Sequence, residues 1–275
     1  MIVRCIKLIL SCLLFTVDCV IGFTRKLFGV KVKPRCVVLY YHSVSDSQRN
    51  HFLRQMEILK CKTIPVPGDY KGKLQPGTKY SMITFDDGFL SVMQNAVPEL
   101  VKLNIPFTIF VPAGNLGKRP QWIGNNLSHP FSGEKVVDET QLIKLSTVPG
   151  AIIGSHGMTH KPLVFLDHKA GDQEIIESKK ILEKIIGKSI TLFSFPHGRY
   201  SMQHLDIARK AGYERVFTIQ PEFAFLSQDE FLTGRFSVDA DDWIIEYRLK
   251  IAGAYRWMAI VSTLKQILKR KNDII

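Results

Sequence analysis

The chain has 275 residues, 45% of them apolar, and a formal net charge of +12. This size and composition predict one substantial core rather than two large domains. The charge lies at the two ends, because residues 1–35 carry seven Lys or Arg against one acid and residues 244–275 carry seven against two. The body between them is nearly neutral, which argues against nucleic-acid binding, whereas basic ends favour contact with an anionic membrane surface.

The N-terminal stretch from Ile6 to Phe23 is strongly apolar. At 100° per residue, the polar side chains in and beside it fall within an arc of about 60°. These side chains are Arg4, Lys7, Ser11, Asp18 and Arg25. The pattern predicts an amphipathic helix lying in a membrane interface. A membrane span ranks second, because Asp18 near the bilayer centre would cost about 2.5–3.5 kcal/mol, and a secretory signal that Asp18 interrupts ranks third.

The other end of the chain mixes aromatic and basic residues from Ile244 to Lys271. The aromatic residues are Tyr247, Tyr255 and Trp257. We interpret the stretch as a basic amphipathic helix. Two arrangements stay open: contact with the lipid headgroup layer, or packing on the body with a solvated basic tail.

Between the ends, short β-branched or aromatic runs alternate with segments of helical periodicity, which predicts a mostly parallel sheet with helices outside. The predicted strands are Val37–Tyr41, Met82–Phe85, Phe107–Val111, Ala151–Gly154, Leu192–Phe195, Arg215–Thr218 and a strand around Thr233–Arg235. The best helical candidates are Ser91–Leu103, Asp172–Ile186 and Met202–Ala211. Seven strands with intervening helices favour a closed α/β barrel.

Polar residues follow directly after five of these strands. They are His42, Asp86 and Asp87, Ser155 and His156, Pro196 and His197, and Arg235. The carboxyl ends of barrel strands form the reactive face in α/β barrels. The coincidence therefore predicts one shared site.

Three short motifs carry the chemistry of this site. Adjacent carboxylates in Thr84–Gly88 can be presented into one pocket by the turn that Gly88 allows. His156 and His160 are four residues apart, a spacing that places both rings on one face of a helical turn and can ligate one ion. The Pro196–Gly198 loop follows a strand, and its backbone N–H groups are expected to point into the pocket.

In this order the motifs resemble those of the NodB-homology polysaccharide deacetylases, carbohydrate esterase family 4, and a Tyr-His segment at Tyr41 and His42 resembles the exopolysaccharide branch. The first motif, Thr-Phe-Asp-Asp-Gly, is complete. The second, His-(Ser/Thr)-x-x-His, has Gly157 in its second place. The third keeps the proline and glycine, but Phe193 stands where many members have arginine and His197 replaces the usual tyrosine.

A fourth motif, Asp-x-x-Asp-Trp, has a counterpart in Asp239–Trp243. The fifth motif, a Leu-x-His that supplies the catalytic acid, is absent because no histidine follows His204 in the sequence. The resemblance implies an α/β fold, a single distorted (β/α)7 barrel of the NodB-homology type over residues 36–245. Residues 1–35 would form an N-terminal membrane-associating helix and linker, and residues 246–275 a basic amphipathic helix.

The resemblance also implies the roles of the site residues. Asp87, His156 and His160 would hold a divalent metal ion, commonly zinc, with Asp86 as general base. The backbone N–H of His197, in the loop with Pro196 and Gly198, would stabilise the oxyanion.

The departures from the motifs leave two roles vacant. We hypothesise from barrel position that His42 is the general acid, and that Arg235 orients Asp86 with Asp239 as its counter-ion.

The implied activity is removal of N-acetyl groups from an amino-sugar glycan, a polymer or lipid-linked saccharide, at the cytoplasmic face of a membrane. A membrane-anchored or exported protein is the alternative location. Two other functions stay open: an inactive carbohydrate-binding protein on the same barrel, and an amidase or deformylase of a non-acetyl amide.

Overall fold

The computed structural model describes residues 2–124, 126–227 and 229–263, which contain ten strands in one sheet. The strands are β1 Arg35–Tyr41, β2 Ile64–Pro65, β3 Lys79–Phe85, β4 Phe107–Val111, β5 Ala151–Ser155, β6 Leu192–Ser194, β7 Arg215–Phe217, β8 Phe223–Ala224, β9 Leu232–Thr233 and β10 Phe236–Ser237. The same residues contain the α-helices α1 Ile2–Leu27, α2 Arg49–Lys62, α3 Val97–Lys102, α4 Glu139–Ser146, α5 His168–Ile186, α6 Met202–Lys210 and α7 Ile244–Ile251.

Eight strands lie side by side in the order β10, β1, β3, β4, β5, β6, β7, β9, and each pairing along this path is parallel. Parallel neighbours need long crossover connections, and here most of these contain helices. Only Gly234 and Arg235 separate β9 from β10. This short step joins the two ends of the sheet, so the sheet forms the nearly closed α/β barrel that the sequence predicts.

The seven predicted strands are all present, and β4 has the predicted bounds. Of the helices, α6 matches within one residue, and α5 begins four residues earlier than predicted because Asp167 caps it by accepting from the Ala170 N–H at 2.8 Å. The predicted helix Ser91–Leu103 is a π-helical segment, Val92–Ala96, followed by α3. The short strands β2, β8 and β10 and the helices α2 and α4 were not predicted.

The barrel interior is filled by apolar side chains up to the carboxyl ends of the strands. Fully buried members of this interior cluster are Cys36, Val38, Met82, Phe110, Leu192 and Phe217. At the strand ends a polar layer replaces the apolar side chains, with Thr84, Ser194 and Arg235 all fully buried. The reactive face is therefore a layer of polar side chains at the carboxyl ends of the strands, next to an otherwise hydrophobic barrel interior.

The N-terminal helix α1 turns its polar stripe toward the barrel. Arg4 Nε donates to Glu246 Oε2 at 2.8 Å, Trp257 Nε1 donates to Ser11 Oγ at 3.0 Å, and Arg256 binds both oxygens of Asp18 at 2.7 Å. The outward face of α1 carries exposed apolar side chains. They are Ile2, Val3, Ile6, Ile9, Leu10, Leu13, Phe15, Val17, Val20, Ile21, Phe23 and Leu27.

The C-terminal segment packs on the barrel as far as it is described. Helix α7 ends at Ile251, a turn follows at residues 252–256, and residues 257–263 are helical again. Tyr247 and Tyr255 are buried in the core, so of the two arrangements left open by the sequence, these two rings follow packing on the body and do not contact headgroups. The basic tail with Lys265, Lys269, Arg270 and Lys271 lies outside the described residues.

Candidate active site and metal centre

The two adjacent aspartates lie at the carboxyl end of β3. Asp87 has φ of 70° and Gly88 has φ of 60°, so the chain makes a left-handed turn as soon as the strand ends. The Asp86 N–H donates to the Tyr41 carbonyl of β1 at 2.9 Å, which fixes the start of the turn. Both side chains are buried, yet their carboxylates meet different partners.

The two histidines follow β5 in a loop, not in a helical turn as the spacing suggested. Gly157 and His160 both have positive φ, 76° and 64°, and such residues interrupt a right-handed helix. The His156 N–H donates to the Val111 carbonyl at 3.0 Å, which continues the pairing with β4 for one more residue. The two rings do converge as predicted. They do so because of the conformation of this loop and not because of a helical turn.

Asp87, His156 and His160 place one ligand atom each within 4.8 Å of one another. Asp87 Oδ1 lies 2.9 Å from His160 Nε2 and 3.6 Å from His156 Nε2. Asp87 Oδ1 has no hydrogen-bond partner among the described residues. A buried carboxylate oxygen without a hydrogen bond is costly unless a cation neutralises it.

The tautomer of His156 also indicates that a cation fits between Asp87 and the histidines. Its Nδ1 lies 2.7 Å from the Ser194 carbonyl oxygen, which only accepts, so Nδ1 carries the proton. Burial, with the like charge of His160 as a smaller cause, lowers the pKa of His156 to about 4 and keeps the ring neutral. Nε2 then presents a lone pair toward the Asp87 carboxylate. Two electron-rich atoms facing each other fit a metal ion, and the carbonyl behind Nδ1 orients the ring as in many metal sites.

Asp86 forms a bidentate ion pair with Arg235. Arg235 Nη1 and Nη2 donate to the two Asp86 oxygens at 2.7 and 2.8 Å, and both residues are buried. The remaining donors of Arg235 bind Thr84 Oγ1 at 3.1 Å, Ser194 Oγ at 2.8 Å and the Thr218 carbonyl at 3.2 Å. Burial alone would raise the pKa of Asp86, but Arg235, through its charge and hydrogen bonds, together with smaller contributions from His156 and His42, holds the pKa below its usual value.

Asp239 does not pair with Arg235, contrary to the prediction. It lies on the surface, and its Oδ1 accepts from the Asp241 N–H at 2.8 Å. The second aspartate of this motif, Asp242, pairs with Lys250 at 2.6 Å. Asp86 is the counter-ion of Arg235, because the guanidinium points into the barrel while Asp239 lies beyond the end of β10.

His42 lies at the rim of the site, directly after β1. Its ring stacks on Phe131 with centroids 5.3 Å apart and meets Tyr40 edge-on at 5.6 Å. Burial acts to raise the pKa of both aspartates, and the lowering comes mainly from Arg235 at Asp86 and from His160 at Asp87. His42 is close enough to both aspartates to add a smaller lowering effect. The half-buried ring is thus in place for proton transfer, and its role stays a prediction.

The loop Pro196–Gly198 follows β6 and lies beside the histidine pair. His197 has φ of 56° and Gly198 has φ of 65°, and the ring centroids of His197 and His160 are 4.8 Å apart. The Gly198 N–H donates to the Phe195 carbonyl at 2.8 Å. Within the described part of the chain, the backbone N–H of His197 has no protein acceptor.

Two aromatic residues at the site were missed from the sequence. Trp122 stacks on His160 with centroids 4.1 Å apart, and Phe131 packs between His42 and Phe89. Both belong to the long connection between β4 and α4. The signal available in the sequence was the presence of these two aromatic residues in a segment that has neither strand nor helix periodicity.

Comparison with known proteins assigns this chain to a family. The family described as polysaccharide deacetylase matches residues 73–216, more than half of the chain. The chain belongs to the polysaccharide deacetylase family. It is a deacetylase, a hydrolase of carbon–nitrogen bonds other than peptide bonds.

Curated relatives and a solved structure agree with this assignment. The Bacillus subtilis (strain 168) protein YxkH, whose name places it among polysaccharide deacetylases, is 29% identical over 212 residues, covering 73% of this chain and 70% of that protein. The poly-beta-1,6-N-acetyl-D-glucosamine N-deacetylase of Staphylococcus aureus (strain N315) is 23% identical over 203 residues, 73% of this chain and 69% of the relative. The structure of IcaB from Ammonifex degensii superposes with a TM-score of 0.67 at 25% identity, covering 82% of this deacetylase and 100% of IcaB.

The buried ion pair generates a testable prediction. Replacing Arg235 with Gln leaves Asp86 buried without its counter-ion, so the free energy of unfolding is expected to fall by about 3–5 kcal/mol. The pKa of Asp86 is expected to rise, because the largest opposition to burial is then removed. Since the carboxylate is protonated as pH falls through its pKa, the acid limb of deacetylase activity should move to higher pH.

Denaturant unfolding and a pH–rate profile measure these two effects. Arg49→Gln is the matched control, because Arg49 pairs with Glu99 at 2.7 Å but remains partly exposed. An acid limb at the same pH in Arg235→Gln and wild type would contradict the assigned role of the pair.

Proposed function

We propose that this deacetylase removes N-acetyl groups from an amino-sugar glycan with one divalent metal ion held by Asp87, His156 and His160. The observation that carries the proposal is the convergence of the Asp87 oxygen and the two imidazole nitrogens within 4.8 Å. Two nitrogens and one carboxylate leave positions open, as in catalytic zinc sites, so zinc is the proposed ion. When bound, such an ion polarises the amide carbonyl and lowers the pKa of its water.

Asp86 is the proposed general base. Its ionised carboxylate accepts the proton of the attacking water, and its low pKa keeps it ionised throughout the neutral range. The bidentate contact with Arg235 fixes the plane of the carboxylate. Arg235 therefore acts through Asp86 as a positioning residue.

Two further groups complete the proposed mechanism. The backbone N–H of His197 donates to the oxyanion that forms when water adds to the amide carbonyl. His42 donates a proton to the departing amine, the role of the histidine that the sequence lacks at its C-terminal end. The aromatic contact with Phe131 holds the His42 ring at the rim of the site.

An N-acetylglucosamine polymer is the proposed substrate class. Support comes from the likeness to a staphylococcal protein named for deacetylation of poly-N-acetylglucosamine. Trp122 and Phe131 add flat apolar surfaces at the rim, which suit the C–H faces of sugar rings. A lipid-linked saccharide presents the same groups.

We propose that the enzyme works at a membrane surface, on the cytoplasmic side as the sequence predicts. Among the described residues, α1 is the helix long and apolar enough to cross a bilayer. The polar side chains of α1 bind the barrel, as Asp18 binds Arg256. The apolar face of the helix therefore points away from the protein. This arrangement favours a helix lying in the interface with its apolar face among the lipids.

Acetate release tests the central proposal. Purified protein is expected to release acetate from short N-acetylglucosamine oligomers, to stop when a chelator removes the metal, and to recover with Zn²⁺ or Co²⁺. Asp86→Asn should keep the metal ligands but lose about 10²–10⁴-fold in turnover, because an amide cannot accept the proton of the attacking water. The variant also breaks the ion pair with Arg235, so turnover is compared per folded, metal-loaded protein. The exposed residue Asp206 provides the control Asp206→Asn, which should retain wild-type turnover.

Undiminished acetate release in the chelator, or by Asp86→Asn, would refute the mechanism. A metal-loaded protein that binds the oligomers without releasing acetate would instead indicate a carbohydrate-binding protein. Release of formyl but not acetyl groups would indicate a different amide.

The role of His42 is tested by the leaving group. His42→Gln is expected to lower amide hydrolysis by about 10²–10⁴-fold, because the amine must leave as a protonated group. Hydrolysis of p-nitrophenyl acetate should change much less, because that leaving group needs no proton. His129→Gln is the control, since His129 also packs on Phe131, with centroids 5.3 Å apart. An equal loss with both substrates would contradict proton donation by His42.

The membrane proposal is tested by flotation with phosphatidylglycerol-containing vesicles. The triple variant Ile9→Gln, Leu13→Gln, Val20→Gln changes only exposed side chains of α1, so the barrel should stay folded while vesicle binding is lost.

A second triple variant, in exposed apolar residues elsewhere, is the control and should float like wild type: Ile64→Gln, Phe165→Gln, Met202→Gln. Flotation of the α1 variant at the wild-type level would refute lipid contact. Loss of a dimer instead of flotation would point to a second copy of the chain on this face.

A further inference from the structure

The loop that carries both histidines has an unusual structural requirement. Residues 156–160 lie in neither a helix nor a strand, and Gly157 and His160 have positive φ. The backbone N–H groups of such a loop need partners other than a regular hydrogen-bond ladder. Whatever binds them also determines where the rings of His156 and His160 point.

A single carboxylate on α5 binds this loop. Glu174 Oε2 accepts from the Met158 N–H at 2.7 Å and from the Thr159 N–H at 2.9 Å. Glu174 Oε1 accepts from the Thr159 hydroxyl at 2.5 Å. The three donors belong to the two residues between Gly157 and His160, so the carboxylate binds the loop at its centre.

The opposite side of the loop is bound through its carbonyl oxygens. The Ala113 N–H donates to the Gly157 carbonyl and the Gly114 N–H to the Met158 carbonyl, both at 2.9 Å. The Asn115 side chain also donates to the Met158 carbonyl at 3.2 Å. The loop is therefore held between Glu174 and the segment that follows β4, with its N–H groups on one side and its carbonyls on the other.

The burial of Glu174 requires hydrogen bonds to its carboxylate. Its residue surface is only 6% exposed, and none of the described Lys, Arg or His side chains forms an ion pair with it. A buried carboxylate without a counter-ion is costly unless strong hydrogen bonds satisfy it. The two amides and the hydroxyl of the loop supply those bonds.

Gly157 is matched to the same carboxylate. A Cβ atom at this position would lie 3.0 Å from Glu174 Oε2, closer than ordinary contacts allow. The second motif has Ser or Thr in this place, and here the space is taken by the carboxylate. The glycine at position 157 therefore leaves the space that the carboxylate of Glu174 fills.

We propose that Glu174 is a positioning residue of the metal site, which holds His156 and His160 at the spacing that binds the ion. The proposal rests on the proposed function, because it assumes that these histidines ligate a metal. Glu174 touches neither the ion nor the substrate in this assignment. It acts through the loop, as outer groups of metal sites do when they orient the ligands.

Metal affinity measures this role directly. Zn²⁺ and Co²⁺ binding to the full chain is followed by chelator competition for wild type, Glu174→Gln and Glu174→Ala. We expect the dissociation constant to rise about 10- to 100-fold in Glu174→Ala and less in Glu174→Gln, which keeps one acceptor oxygen. The lost activity should return when excess Zn²⁺ is added, a recovery that general misfolding would not show.

Glu177→Gln is the matched control, because Glu177 lies on the same helix but has a half-exposed side chain and pairs with Lys180 at 2.8 Å. Its metal affinity should equal that of wild type. If Glu174→Ala does not fold, Glu174→Gln carries the test, together with hydrogen exchange at the Met158 and Thr159 amides of the metal-free protein, which should be faster than in wild type.

Two outcomes separate the proposals. Wild-type protein that binds no metal would refute the proposed metal-dependent function. Wild-type protein that binds Zn²⁺ and folded Glu174→Gln and Glu174→Ala that bind it equally well would overturn only the role of Glu174.

Discussion

The ion pair between Arg235 and Asp86 is the interaction on which the rest of the site depends. Arg235 lies in the two-residue step between β9 and β10, where the two ends of the sheet meet. Its donors bind groups at the ends of β3, β6 and β7, namely Thr84, Asp86, Ser194 and the Thr218 carbonyl. One side chain thus links strand ends across the barrel and fixes the orientation of the Asp86 carboxylate. The buried arginine is tolerated here because its Nε, Nη1 and Nη2 groups all donate to acceptors.

The same pair explains how two adjacent aspartates acquire different chemistry. Asp86 is satisfied by a guanidinium, so it is ionised and held in one orientation. Asp87 points toward imidazole nitrogens, and its Oδ1 has no hydrogen-bond partner among the described residues. The first environment suits a group that takes up a proton, and the second suits a group that binds a cation. Separate environments for neighbouring carboxylates are a general means of dividing acid–base roles.

Much of the fold could be predicted, because strand periodicity and the position of polar residues at strand ends are local properties of the sequence. Asp86, Asp87, His156 and Arg235 were placed at the correct edge of the sheet for this reason. The loop conformation at His156–His160 was not predictable from spacing, because positive φ at residues 157 and 160 replaces the helical turn. Asp239 was misplaced because a position near the end of a barrel strand does not determine which way a side chain points.

Contacts between distant segments were the least predictable part. The polar stripe of α1 was visible in the sequence, but its partners Glu246, Arg256 and Trp257 lie more than 230 residues away. Likewise, Glu174 reaches the loop between His156 and His160, and Trp122 reaches the His160 ring, only in the folded chain. A helical pattern identifies a face, whereas the surface that covers that face depends on the tertiary structure.

The attachment of α1 to the barrel has a consequence for how firmly the two remain together. The helix is fastened mainly by charged and polar groups, such as Asp18 with Arg256, and few of its apolar side chains enter the core. Partly exposed ion pairs are weakened by salt, whereas apolar burial is not. Ionic strength therefore acts on the contact between α1 and the barrel, and low salt favours the docked arrangement of the helix.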